Sequence, residues 1–189
     1  MNIIVLGPPG SGKSTQARLL AEFLGVPCLE SGELLYYLSQ EKSQRGREIK
    51  KAMEAGSLVE GKIMVDVISK QLKSSSYRTG VVIDGFPRSL SQAKDFKFIP
   101  DKVIYVEVSD KENMKRLLKR GRKDDTLELI KRRLEIYHRQ TKPALKFYRQ
   151  KGILLKVDGE RPIEVIHQDI LSKLKIENYG DTDKKQRRD

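Results

Sequence analysis

The chain has 189 residues and a formal net charge of +12, with 38% hydrophobic and 34% charged residues. A chain of this size and balance builds one domain with a modest core, and no apolar run reaches the ~20 residues that a membrane helix needs. Its single cysteine, Cys28, excludes an internal disulfide and a four-cysteine zinc site, so no zinc is expected.

The positive excess suits polyanions: nucleic acid, an acidic membrane or nucleotide phosphates. It also suits a lysine-rich surface that serves solubility alone. The N-terminus lacks a basic stretch, and its apolar run is too short for a secretory signal, so a cytoplasmic location is expected.

In chain order, "NIIVLG" is an apolar run ending at Gly7 and predicts a buried strand. Helical periodicity begins at Lys13 in "KSTQARLLAEFLG" and stops at Gly25. "VPCLE" predicts a second strand, with Cys28 as a small buried side chain at its end. Residues 32–56 are helical in character with a break near "SQRG", and "EGKIMVDVISKQLKS" is an amphipathic helix. "GVVIDG", bounded by Gly80 and Gly85, is a β-branched strand, and "DKVIYVEVS" is another. Residues 111–120 and 125–151 predict two helices with Gly121 between them. "GILLKVDG" is the last strand and "PIEVIHQDILSKLKI" the last helix. Five strands alternating with helices imply an α/β fold, a mainly parallel sheet with helices on both faces. Residues 177–189, "ENYGDTDKKQRRD", are polar and aperiodic and predict a disordered tail.

The stretch "GPPGSGKS", residues 7–14, fits the P-loop pattern between a predicted strand and a predicted helix, the context the motif requires. This makes the expected architecture a P-loop NTPase fold. Gly10 and Gly12 let the backbone curl so that successive N–H groups wrap phosphate oxygens, and the helix beginning near Lys13 adds its positive end. Lys13 reaches the β- and γ-phosphates, and the Ser14 hydroxyl approaches Mg²⁺, directly or through water. In "VVIDGFPRS", residues 81–89, Asp84 ends a buried strand, where open α/β sheets place their ligands. Asp84 there holds Mg²⁺ or its waters. Gly85 permits close backbone approach, and Arg88 offers a bidentate phosphate contact.

The basic run "RLLKRGRKDDTLELIKRR", residues 116–133, carries eight Lys or Arg. Arg116 and Arg120 are four apart and share a helix face. Asp124 or Asp125 is expected to cap the next helix, with Glu128 completing a capping box. Lys123, Lys131 and Arg132 are expected to be solvated.

"GPPGSGKSTQA", "SGELL", "EAGSLV", "DGFPRSLSQA", "RKDD" and "KVDG" occur here in the order and spacing of the nucleoside monophosphate kinases, adenylate kinases nearest among them. The chain resembles that family over residues 1–176. The resemblance implies reversible phosphoryl transfer from MgATP to AMP in a single domain. It implies a helical NMP-binding insertion at 31–60 and a vestigial lid at 120–123. It assigns Gly10, Ser11, Gly12, Lys13, Ser14 and Thr15 to the ATP phosphates, Arg116 and Arg161 to the neighbourhood of the ATP base, and Arg120 to the donor phosphates. It assigns Ser31, Gly32, Ser57, Leu58, Val59, Gly85, Phe86, Pro87, Arg88 and Gln92 to AMP, with Gln92 on its adenine. Arg122 and Arg133 complete the phosphate contacts, and the catalytic set is Lys13, Asp84, Arg88, Arg120, Arg122 and Arg133. The acceptor is already an anionic oxygen, so the reaction needs positioning and charge neutralisation rather than a strong base. His138 and His167 are accordingly expected on helix surfaces.

The partners implied are ATP and AMP, with ADP in reverse and Mg²⁺ accompanying ATP. No membrane is expected, and no feature specifies an oligomeric state. Two departures from the family pattern matter. Tyr36 stands where the family has an arginine on the AMP phosphate, which predicts weaker AMP binding unless Arg47, Lys50 or Lys51 compensates. Only Gly121 separates Arg120 from Arg122, where relatives carry a lid; more ATP hydrolysis without acceptor is expected. A kinase for UMP, CMP or GMP is the alternative reading. An RNA-binding P-loop protein is a further one, and the absence of an aromatic-rich stacking motif argues against nucleic acid as a partner.

Overall fold

The computed structural model describes residues 1–122 and 125–176. β1 (Asn2–Leu6) lies at the centre of a five-stranded sheet ordered β2-β3-β1-β4-β5, with β2 (Cys28–Glu30), β3 (Val81–Asp84), β4 (Lys102–Glu107) and β5 (Leu154–Asp158). Every pairing is parallel. The helices are α1 (Lys13–Leu24), α2 (Ser31–Ser39), α3 (Gln44–Glu54), α4 (Gly61–Gln71), α5 (Leu90–Asp95), α6 (Asp110–Arg120), α7 (Leu127–Ile136), α8 (Lys142–Gln150) and α9 (Ile163–Leu174).

The unbroken apolar character of β1 follows from its position. Strand side chains alternate between faces. Ile3 and Val5 enter a core shared with α1 and α9, while Ile4 and Leu6 enter one shared with α2, α3, α4, α5 and α8. Both faces are covered, so both sets are apolar. A third, smaller cluster of Leu117, Ile130 and Leu134 packs α6 against α7. That contact fixes the two helices that carry the basic run.

All five predicted strands form. The break in the 32–56 segment falls at 40–43, and Ser43 caps α3 by accepting from the Gly46 amide at 2.9 Å. Two expectations are corrected, and one helix was not foreseen. The helix predicted from residue 125 begins at Leu127, capped by Thr126, whose Oγ1 accepts from the Leu129 amide at 3.3 Å. Asp125 is unavailable as a cap because arginines occupy its carboxylate, and Asp124 lies outside the described residues. The predicted helix over 125–151 is also not one helix. It widens into a π-turn at Tyr137–Thr141 before α8. Pro143 supplies the reason: it has no amide hydrogen, and its ring displaces the carbonyl of Arg139 four residues back. Finally, α5 was not predicted. At six residues it is too short to show a helical period, and it is held by the Ser89 hydroxyl, which accepts from the Gln92 amide at 3.2 Å. The predicted tail, 177–189, lies outside the described residues.

Among the described residues, no helix is long and apolar enough to cross a membrane.

Candidate functional site

The carboxyl ends of β1 and β3, the P-loop, α2, the loop before α4, and the α6–α7 pair enclose a cavity of about 1100 Å³. The P-loop forms its floor. Gly10 has φ 84°, and a Cβ there would sit 2.9 Å from the Asn113 carbonyl and from Leu117. Only glycine takes that conformation with α6 so close. Gly12, also at positive φ, caps α1. Lys13, Ser14 and Thr15 line the cavity, whereas the Ser11 hydroxyl is buried against Gly7 with no hydrogen-bond partner among the described residues.

Lys13 heads α1 and is partly buried. Burial pushes its ammonium down to about 8, the charges of Arg88 and Arg120 push the same way, and Asp84 pulls it up. The Ser14 hydroxyl donates to Asp84 Oδ2 at 2.6 Å, and Asp84 Oδ1 is buried without a partner among the described residues.

Gly85 joins the two halves of the site. Its φ is 72°, and a Cβ would lie 3.2 Å from Ser31 Oγ, 3.3 Å from an Arg88 terminal nitrogen and 3.5 Å from Lys13 Cε. Arg88 is held at several points. Its amide donates to Gln92 Oε1 at 2.7 Å, its Nε donates to the Gly85 carbonyl at 2.7 Å, and its NH2 lies 3.4 Å from Ser31 Oγ. Burial lowers the Arg88 pKa from the ordinary arginine value, opposed by Asp84 and reinforced by Arg133. Gly32, Ser57, Leu58, Val59, Phe86 and Gln92 also line the cavity; Ser31 and Pro87 stand behind that lining.

Arg116, Arg120, Arg122 and Arg133 line the opposite wall. The last three are organised by Asp125, whose side chain is fully inaccessible. It accepts from Arg120 Nε and NH2 at 2.8 and 2.7 Å, from the Arg122 amide at 3.2 Å and from Arg133 NH1 at 3.4 Å. The Arg120 hydrogen bonds hold the Asp125 carboxyl below its ordinary range. Arg116 donates to Glu112 and to the Gly159 carbonyl, both at 2.8 Å, which ties α6 to the "KVDG" turn.

Arg161 is not brought to the cavity; its guanidinium bonds the Asp158 carbonyl and the Asp169 carboxylate. Tyr36 does line the cavity, 56% exposed, with its ring edge-on to Tyr37. Arg47, Lys50 and Lys51 are exposed on α3 and do not line it. The cation on that rim is Arg18, paired bidentately with Glu30 at 2.7 Å. Cys28 is half-buried at the start of β2, and burial pushes its thiol up to about 12, as suits an unreactive side chain.

Sequence reasoning missed Arg18, Thr141 and the organising role of Asp125. Asp125 read as a helix cap, because an aspartate just before a helix is ordinarily one. Arg18 had no signal beyond its position on the first helix.

The adenylate kinase family model matches residues 5–153. The chain is 39% identical to an adenylate kinase of Prochlorococcus marinus over 91% of its own length and 96% of that protein. It is 36% identical to an adenylate kinase of Trichodesmium erythraeum, covering 88% and 93% of the two chains. It is 31% identical to one of Methanosarcina acetivorans, covering 90% and 96%. With that identity sustained from end to end of the relatives, the chain belongs to the adenylate kinase family.

Proposed function

We propose that this chain transfers the γ-phosphoryl group of ATP to AMP, reversibly, giving two molecules of ADP. The observation that carries this reading is the convergence, around one cavity, of a P-loop lysine, a partly buried arginine beyond β3 and the arginines of α6 and α7. Phosphoryl transfer asks for little else: reactants held in line, and fixed positive charge where the transition state spreads negative charge.

The donor phosphates lie along residues 10–15 with Lys13 on the β- and γ-groups, and Arg120 and Arg116 bind from the far wall. Arg161 approaches the ATP base through its backbone, since its side chain is engaged elsewhere. AMP lies between α2, the 57–59 loop and residues 85–92, its phosphate toward Arg88, Arg122 and Arg133. The residues fit Mg²⁺: a serine hydroxyl and a carboxylate with an orphaned buried oxygen are hard oxygen donors. Ser14 and Asp84 would hold the ion directly or through water, and when bound it neutralises charge on the β- and γ-phosphates. Residues 1–176 form one kinase domain, with 31–60 as the acceptor-binding insertion and 120–123 as the remnant of a lid. Residue 123 falls outside the described residues.

Gln92 explains the choice of base. Its Oε1 accepts from the Arg88 amide, which orients the amide group and leaves Nε2 without a protein partner among the described residues. That N–H donates to the unprotonated N1 of adenine; guanine and uracil present an N–H there instead. The test is ADP formation from ATP with AMP, UMP, CMP or GMP. AMP is expected to lead GMP and UMP by about tenfold or more, the cost of an opposed hydrogen bond. Equal or greater rates with another acceptor would replace AMP. A control without acceptor measures phosphate lost to water, expected above that of relatives with full lids.

Tyr36 limits acceptor affinity in this reading, because a phenol offers one hydrogen bond and no charge near neutral pH. Tyr36→Arg is expected to lower the AMP KM about tenfold, the worth of one charge-assisted hydrogen bond. An unchanged KM would remove residue 36 from the acceptor site.

A further inference from the structure

We infer that Thr141 is a positioning residue for Arg88, and that the π-turn is what delivers it. An α-helix advances roughly 100° per residue, so residues eight apart, such as Arg133 and Thr141, would diverge by roughly 80°. The extra residue of a π-turn absorbs roughly 100° and returns the two to within about 20° of each other. Arg133, Tyr137 and Thr141 all line the cavity.

Thr141 is only 6% exposed. A helical threonine ordinarily returns its hydroxyl to a carbonyl three or four residues back in its own helix. Here Oγ1 donates instead to the main-chain carbonyl of Arg88, 53 residues away in sequence, at 2.7 Å. The other end of the turn is also fastened, because the Tyr137 hydroxyl donates to that of Tyr105 on β4 at 2.9 Å. The turn is thus fixed to the sheet at one end and grips Arg88 at the other.

The remaining contacts of Arg88 come from its own loop, α5 and the start of α2. Thr141 alone, among the described residues, ties it to the α7–α8 wall that carries Arg133. The bond sets the distance between two arginines that approach the acceptor phosphate from opposite sides. A misplacement of about 1 Å in such a clamp costs about 10²-fold in rate.

This inference rests on Arg88 meeting the acceptor phosphate. Thr141→Val keeps the shape and removes the donor; Thr141→Ser keeps the donor. The valine variant is expected to lose about 30-fold in kcat/KM for AMP, between no loss and that full misplacement. Its KM for ATP should stay within about twofold of the parent, because the P-loop is untouched, and serine should restore most of the activity. A purely structural role would lower the melting temperature and leave the kinetics of the folded enzyme intact. If valine is not accepted by the fold, Thr141→Ala against Thr141→Ser gives the same comparison. The inference is overturned if the donor-less variants keep parental kcat/KM for AMP, or if serine is as impaired as they are. Arg88→Ala separates the two levels. If it is harmless, the phosphate role of Arg88 fails and this inference with it; if it is costly while Thr141→Val is harmless, only the inference fails.

Discussion

Lys13→Met lowers kcat by about 10³-fold, the scale on which one preorganised electrostatic contact to a transition state acts. The fold is expected to survive the change, and to gain from it in the absence of nucleotide. Lys13 is a partly buried ammonium, and desolvation pushes its pKa from 10.5 to about 8. A cation with a folded-state pKa below its unfolded value costs stability while it is protonated. That cost is fully present below about pH 8 and is relieved as the pH rises toward 10.5. Methionine removes it at every pH. ATP brings the negative charge that makes the ammonium favourable, so nucleotide affinity of the parent should fall above about pH 8 and that fall should vanish in the methionine variant. Steady-state kinetics and melting curves with and without ATP read both effects. A kcat within about tenfold of the parent would mean that Lys13 is not aimed at the transferring group.

Asp125→Ala is expected to damage stability and activity together. The carboxylate is fully inaccessible and holds Arg120, the Arg122 amide and Arg133. Without it, Arg120 and Arg133 lose the carboxylate they share. Breaking a buried ion pair costs about 3–5 kcal/mol, and Arg120 keeps partial access to solvent that screens the loss, so about 2 kcal/mol is expected. For a chain of this size that is roughly 4–8 °C in Tm. The rate should fall about 10²-fold, because the arginines lose their fixed geometry. Asp125→Asn, which keeps the shape and two acceptor sites, should fall between. The native contribution of Asp125 is present above its unfolded pKa and is lost as the pH falls through its depressed folded value. A variant with parental Tm and parental kcat would show that the arginines organise themselves.

What could be read from the chain alone was what is local. The P-loop is contiguous, and its glycines, lysine and serine declare their chemistry through spacing. The strands announced themselves as apolar runs because a parallel sheet covered on both faces demands them. Arg88 came from a motif at a strand end, and Gln92 only from the resemblance to the nucleoside monophosphate kinases. Contacts made across the fold carried no such signal. Asp125 read as a helix cap because capping is the local role of an aspartate before a helix; the arginines that claim it override that role. The π-turn interrupts a pattern that continues on both sides, and only Pro143 hints at it. The bond from Thr141 to the Arg88 carbonyl joins segments 53 residues apart and leaves no trace in spacing. α5 was too short to have a period at all.

The fate of the γ-phosphate decides whether the transfer takes place. ATP labelled at that group is mixed with AMP, magnesium and the protein, and the products are separated. The label is expected in ADP, with two ADP formed for each ATP consumed. Label recovered only as inorganic phosphate, or ADP formed no faster than without protein, would contradict the transfer.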